Sequence, residues 1–472
     1  AFRDPDHLTD FGTAHRKIVR NQAYGTGAEL YDGETDGHGS HVCGTAAGDQ
    51  SYITGSTWNN GVAYKAKISF ADIVDCDGNF SDFTYLTILS DAYSDGARIH
   101  SNSWGYDAST EGDYNYEAVD ADAFMWNHKD FLIFFAAGND GPTYRVEPPA
   151  TAKDIVTVGA TGGTDNTSYS NRDEDQMTDY SCPGPCDDGR RKPTVTAPGH
   201  WIASVDNDDG NCCPNCAATC AYESTFTSGI YTYIWTGTSM ACPAAAGAGV
   251  LVRQYFTEGW YPSGTKNPSD AFTPSAALIK AVLVNGAMDM AGESDWPNMN
   301  QGFGRVELEN VLYFAGDSRV LNVVDETAGF AATGEADTYY YNVGNTQPLE
   351  ITLVWTDHEA SPLADPCIVN DLDLTVHIGG NTYLGNVFSG RQSTTGGSYD
   401  RLNVVEEVLL KNPPAAECTV IVRAYNLAYT PQPYALVVTG DLPANHLPEA
   451  PVLSEPFDNA RITTTTPQLV WQ

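Results

Sequence analysis

Long apolar runs are what this 472-residue chain most lacks. One of the longest, "FLIFFAAG" at 131–138, falls far short of the roughly 18 residues a membrane-spanning helix needs. Basic residues are also scarce: 24 Lys and Arg stand against 61 Asp and Glu, a net charge of −37. No membrane span is expected from runs that short, and a field of that sign repels phosphate backbones and anionic surfaces, so nucleic acid is not an expected partner. Also missing are an initiating Met and a basic segment followed by an apolar one, so Ala1 is read as an internal position of a longer protein.

What is present is apolar mass for a large core, 42% of residues, at a length that suggests two or three domains. Eleven cysteines are many for a cytosolic enzyme. Six of them crowd into "SCPGPC" and "NCCPNCAATC" between 182 and 220, which reads as a disulfide-stapled extracellular loop. Cys213 and Cys216 have CxxC spacing, so a metal knuckle is the rival reading, but no second pair stands at zinc-finger distance. Cys367 and Cys418 are expected to pair with each other.

Between about 40 and 310, short apolar runs such as "AKISFADIV" and "DIVTVGA" alternate with helical stretches, the pattern of a parallel sheet covered on both faces. Beyond that, "DTYYYNV", "LEITLVWTD", "DLDLTVHIG", "ECTVIVRAYN" and "YALVVTG" alternate with period two, which predicts an antiparallel β-sandwich or jelly roll. The expected units are 1–315 (α/β), 317–442 (β-sandwich) and 443–472, a Pro-rich linker and the start of a further β-domain.

A nucleophilic hydroxyl needs a base, a group orienting that base and donors for the oxyanion. "WTGTSMACPAAAGAG" sets Ser239 in a tight turn before a small-residue helix, the candidate nucleophile. "DGHGSHVCG" sets His38 at a helix start between glycines, the candidate base. "FFAAGNDGP" ends a buried strand at Asn139, whose amide can donate to an oxyanion at the carboxyl edge of the sheet.

With these stretches in hand, "DGHGSHVCGTAAG", "SNSWG", "AAGN", "VTVGAT", "VTAPG", "GTSMACPAAAG" and "GFGRV" resemble, in order and near spacing, the motifs of the subtilisin-like serine proteases. The β-rich region, with "VNDLDLTV" and "VRAYN", is similar to the subgroup of alkaline subtilases with a C-terminal β-barrel. The resemblance implies a subtilisin-like α/β fold and a secreted, monomeric serine endopeptidase. His38 would be its base, Ser239 its nucleophile and Asn139 its oxyanion donor, with no catalytic cofactor. It makes His41 a packing residue, Ser103, Trp104 and Gly105 the peptide-pairing edge, and Ala137 and Gly138 a pocket wall. It also sets Glu147 at the pocket floor or rim, where a carboxylate favours Lys or Arg, or else on a surface loop. Cys43 and Cys242 stand where small residues are usual, as buried thiols or a disulfide joining the two helices.

The family's orienting aspartate sits in a "DTG" or "DSG" turn upstream of the base, and residues 1–37 hold no such turn. Asp10 lacks a buried strand before it, and "HRKIVRNQAY" resembles the strand after the aspartate segment. The aspartate is therefore expected ahead of Ala1. Structural calcium is a further implication, with Asp75, Asp77, Asn79 and Asp82, or Asp206, Asp208 and Asp209, as oxygen clusters of no EF-hand spacing. A non-catalytic adhesion protein with a degenerate protease domain, and an exopeptidase or esterase on the same fold, are the alternative functions.

Overall fold

The computed structural model describes residues 2, 4, 6, 10–26, 37–51, 55, 60–74, 80, 82–106, 108–162, 173–205 and 232–443. Its first part is α/β. Strands β1 (Ile18–Ala23) and β2 (Ile68–Asp72) pair in parallel, with helix α1 (His38–Ala47) between them in the chain. After α2 (Tyr85–Ser94), strand β3 (Ile99–Asn102) opens a second parallel sheet. It continues, past α3 (Tyr116–Asn127), with β4 (Leu132–Ala136), β5 (Val156–Thr161) and β6 (Val195–Pro198), in spatial order β3-β4-β5-β6. A hairpin-like pair, β7 (Ile202–Val205) with β8 (Thr232–Trp235), leads into α4 (Thr238–Thr257), and α5 (Ala276–Asn285) follows.

Why β4 is central is legible in its residues: all five of "LIFFA" are buried, because helices cover both faces. The helix α4 approaches the sheet so closely that a Cβ at Gly249 would stand 2.8 Å from the Phe134 ring. Its small-residue face is the reason it can lie there.

The second part is antiparallel. Strands β9 (Val320–Phe330), β10 (Ala336–Val343), β11 (Leu349–Val354), β12 (Asp371–Ile378), β13 (Asn381–Phe388), β14 (Ser393–Thr395), β15 (Val405–Leu410), β16 (Ala416–Asn426) and β17 (Gln432–Gly440) form two sheets. Their orders are β10-β16-β12-β13-β14 and β15-β11-β17-β9. Tyr339 and Tyr434, one from each sheet, share a hydroxyl hydrogen bond of 2.6 Å. Every residue of α5 is buried, since it packs on β4 on one side and on β11 and β17 on the other. The polar residues of that helix are matched: Asn285 donates to Thr352 Oγ1 at 3.0 Å and accepts from Thr439 Oγ1 at 2.7 Å. A buried ion pair, Lys153 with Asp357 at 2.6 Å, joins the α/β part to the chain leaving β11.

Candidate active site

Ser239 is the second residue of α4, so its backbone N–H belongs to the first turn, where amides have no helical acceptor. Pro243 lies four residues on and has no N–H to bond the Ser239 carbonyl. That carbonyl is taken instead by the Ser103 hydroxyl at 2.8 Å, while Ser239 Oγ faces the Ser103 carbonyl at 3.4 Å. The turn of the nucleophile is thus tied to the "SNSWG" edge.

Asn139 follows β4 at the carboxyl end of the sheet. Its Oδ1 accepts from the Thr238 N–H at 2.8 Å and from Thr238 Oγ1 at 3.0 Å, which directs Nδ2 away from the helix. Both groups border one open point: Asn139 Oδ1, Ser239 N and Asn139 Nδ2 stand 3.5, 3.7 and 3.8 Å from where a Cβ on Gly237 would lie, and glycine leaves that point open.

His38 opens α1 behind Gly37, whose φ of 69° places it in the left-handed region. Its ring packs 5.3 Å from Trp235, the last residue of β8 and four positions before Ser239. His41, 1% exposed, stacks 5.6 Å from the same indole and brings Nε2 within 3.1 Å of the Ile202 carbonyl. One tryptophan therefore receives both histidines, one half-buried and one in the packing.

Ser103, Trp104 and Gly105 leave β3 beside this turn, and Ala137, Gly138 and Asn139 leave β4. Glu147 lies between the two segments. Its N–H donates to the Ala137 carbonyl at 3.1 Å, a Cβ on Gly105 would stand 3.0 Å from Oε2, and a Cβ on Gly138 would overlap the carboxyl group. The Cys182 thiol faces Oε1 at 3.8 Å and is pushed up to about 12 by burial and then by the Glu147 charge. Gly105, Ala137 and Gly138 thus lie beside the Glu147 carboxylate or backbone, while Ser103 lies against Ser239 and Trp104 packs among Phe80, Phe83, Tyr85 and Phe135.

The residues sequence reading missed line the far side of His38. The free edges of β2 and β3 both border a cavity of about 440 Å³ that also holds His38, Cys43 and Asp72. Among the described residues neither strand has a partner on that side, since β2 is bonded to β1 and β3 to β4. Asp72 is 5% exposed and is the one carboxylate among the described residues lining this space. Its signal in the sequence is slight, an Asp inside the apolar run "AKISFADIV".

The cysteine expectations need correction. Among the described residues no two cysteines are joined by a disulfide. Cys418 sits opposite Ile378 at the end of β12, whereas Cys367 precedes the start of that strand. The length of β12, roughly 25 Å, separates them, far beyond disulfide reach. Cys242 faces Ser101 Oγ and the Asn102 carbonyl, and burial raises its thiol to about 12; it does not bridge to Cys43. Asp10 is exposed. Cys212, Cys213, Cys216, Cys220, Asp75, Asp77, Asn79, Asp206, Asp208, Asp209 and the stretch 444–472 lie outside the described residues. Among those described, no group of three or more His, Cys, Asp or Glu is placed to hold a metal ion.

The "Subtilase family" description matches residues 6–304, more than half of the chain. The chain belongs to the subtilase family. Membership makes residues 6–304 a serine-type peptidase domain, continued here by antiparallel sheets. This subtilase is 27% identical over 516 residues to the "Serine protease/ABC transporter B family protein tagA" of Dictyostelium discoideum, covering 90% of this chain and 29% of that one. It is 28% identical over 294 residues to "Serine protease AprX" of Bacillus subtilis, covering 60% and 58%. The chain thus spans about three tenths of the length of the Dictyostelium relatives it matches. Among solved structures, a "cold adapted subtilisin-like serine proteinase" aligns with a TM-score of 0.36 and 21% identity over 60% of this chain and 80% of that one. No helix among the described residues is long and apolar enough to cross a membrane.

Proposed function

We propose that the protein containing this subtilase chain is a secreted, monomeric serine endopeptidase that cleaves after Lys or Arg. Ser239 attacks the peptide carbonyl, His38 takes its proton and returns it to the leaving amine, and water then releases the acyl group. The Ser239 N–H and Asn139 Nδ2 hold the oxyanion, and the "SNSWG" edge pairs with the extended substrate. The placement of Ser239 N and the Asn139 amide around the point kept open by Gly237 carries this reading. The Glu147 carboxylate, between Gly105 and Gly138, supports the preference for a cation before the cleaved bond.

The group orienting His38 is assigned to a strand that fills the gap between β2 and β3 and ends in a carboxylate beside the imidazole. Two strand edges that have no strand partner among the described residues border one cavity and support this, since an open edge offers ladder positions to a further strand. Without that carboxylate turnover falls on the order of 10⁴-fold. Asp72 is the rival orienting group, because it already lines the cavity. Substitution Asp72→Asn in the full-length protein separates the two: activity within a few-fold of the parent favours the strand, a 10³-fold or greater fall favours Asp72.

The experiment for the whole reading is labelling of the full-length protein with a fluorophosphonate probe. Labelling lost in Ser239→Ala supports the peptidase. An unlabelled Ser239 in the folded protein would leave the non-catalytic binding function, and peptide products one residue long would indicate an exopeptidase.

A further inference from the structure

A second, smaller cavity lies away from the active site, between the α/β part and the antiparallel sheets. Its space for a water-sized group is about 20 Å³, above the roughly 10–15 Å³ one such group needs. Its lining is unusual for a buried void: Lys153, Arg190, Arg191, Lys192 and Lys280 from the α/β part, with Thr194 and Phe303, and Asn403 to Val405 across the boundary. Lys153, Arg190, Lys192 and Lys280 are each at most 3% exposed.

Two of these five cations have anionic partners, Lys153 with Asp357 and Arg190 with Asp188, each at 2.6 Å. The other three have no ion pair among the described residues. Lys192 donates only to Thr157 Oγ1 at 2.8 Å and to the Ile155 carbonyl at 3.5 Å. Lys280 donates to the Lys153 and Asp154 carbonyls at 2.9 and 3.1 Å. Arg191, packed on Phe303, has a buried Nη1 with no acceptor. Asp122 supplies a negative charge beside Lys280, Asp400 and Glu407 act on Arg191, and Asp154 and Glu407 are held well above the usual carboxylate range, first by burial, so neither of these two supplies a full charge.

Buried cations in excess of carboxylates must shed protons or gain an anion. Burial, followed by the Lys280 charge, does push Lys192 well down, and burial lowers Lys280 to about 8. A guanidinium has no such escape, and Arg191 is left with an unmet donor aimed at no protein acceptor. A void of one-atom capacity beside it is the remaining route.

We propose that this cavity is a binding site for a single small monovalent anion, of the chloride class, held by Arg191, Lys192 and Lys280 at the junction of the two parts of the chain. Its size admits a halide and excludes sulfate or a carboxylic acid. Because Asn403 to Val405 form the opposite wall, the bound ion ties the antiparallel sheets to the α/β part.

The test uses the folded full-length chain. Thermal unfolding is followed in chloride and in gluconate at matched ionic strength, with and without Lys192→Met, and crystals are soaked in bromide. The site predicts an anomalous peak between Lys192 and Arg191 and a midpoint roughly 2–4 °C higher in chloride than in gluconate. It also predicts that this increment vanishes in Lys192→Met, whatever that variant's own stability. If Lys192→Met does not fold, the bromide map of the parent decides. Equal midpoints in the two salts, or a bromide map with nothing in the cavity, would overturn the proposal and leave a buried water there.

Discussion

Replacing Glu147 by Gln in the full-length protein is the sharpest perturbation of the specificity reading, because it removes one charge and keeps the shape of the pocket. The carboxylate stands where a Cβ on either Gly105 or Gly138 would crowd it, so a side chain entering between those glycines meets it end-on. A guanidinium or ammonium about 4 Å away is attracted by about 4 kcal/mol at an effective dielectric of about 20. Stripping water from both groups takes back part of this, and charge-assisted hydrogen bonds net about 1.5–3 kcal/mol. A net 2–3 kcal/mol corresponds to roughly 30–150-fold.

The assay is kcat/KM on matched peptides that differ only in Arg or Phe before the cleaved bond. Glu147→Gln is expected to lower the Arg-to-Phe ratio by that factor, through the Arg substrate, with kcat for Phe nearly unchanged. A ratio that stays within about threefold would refute the argument, since neutralising a carboxylate that contacts the substrate cation cannot be silent at these distances. Gly138→Ala supplies the steric control. Its backbone at φ 109° and its new methyl against the Glu147 carboxyl should depress both substrates together.

Three other outcomes follow from geometry already described. Asn139→Ala removes one of the two proposed oxyanion donors and should lower kcat on the order of 10²–10³-fold with little change in KM, read from steady-state kinetics of the full-length protein. Lys153→Met leaves Asp357 buried without its cation and should cost about 3–5 kcal/mol of stability in urea unfolding, whereas a loss under about 1 kcal/mol would show that the backbone amides around Asp357 suffice. His100, lowered to about 4 by burial, stays neutral in the folded chain while the unfolded chain takes a proton below about 6.5. Its contribution is thus present above about pH 6.5 and lost as the pH falls towards 4, and His100→Gln should flatten that part of the pH–stability curve by on the order of 2 kcal/mol, allowing for solvent in the cavity beside the ring.

The chemistry-bearing turns are legible one motif at a time because each depends on a few neighbouring residues: glycines around His38, the Thr238-Ser239 helix start, the strand ending at Asn139. What is not legible is whatever a distant strand decides. The pairing of Cys367 with Cys418 is the case in point, since nothing in composition says that they flank opposite ends of β12. The buried charges escape for a related reason. In "VEEVLL", alternation predicts at least one solvent-facing Glu, yet Glu406 and Glu407 are both fully buried, because β15 is covered on both faces. Lys192 and Lys280 likewise look like surface residues until the antiparallel sheets are laid over them.

The unevenness of burial across the α/β part bears on activity itself. β4, β5 and most of β6 are fully buried, while β1 is half-buried throughout and β2 and β3 nearly so, although all carry apolar side chains. For β2 and β3 the difference accompanies the cavity between them, which leaves one edge of each without a strand neighbour among the described residues. A strand seated there would satisfy the ladder amides of both edges and cover Ile68, Phe70 and Ile99 at once. His38 and Cys43 line the same space, so the event that completes the sheet also packs against His38, the proposed base. Stability and turnover are then coupled through one insertion. Supplying the strand should raise the unfolding midpoint and the rate of Ser239 labelling by a fluorophosphonate together, and a strand that raised one without the other would break the link between the cavity and His38.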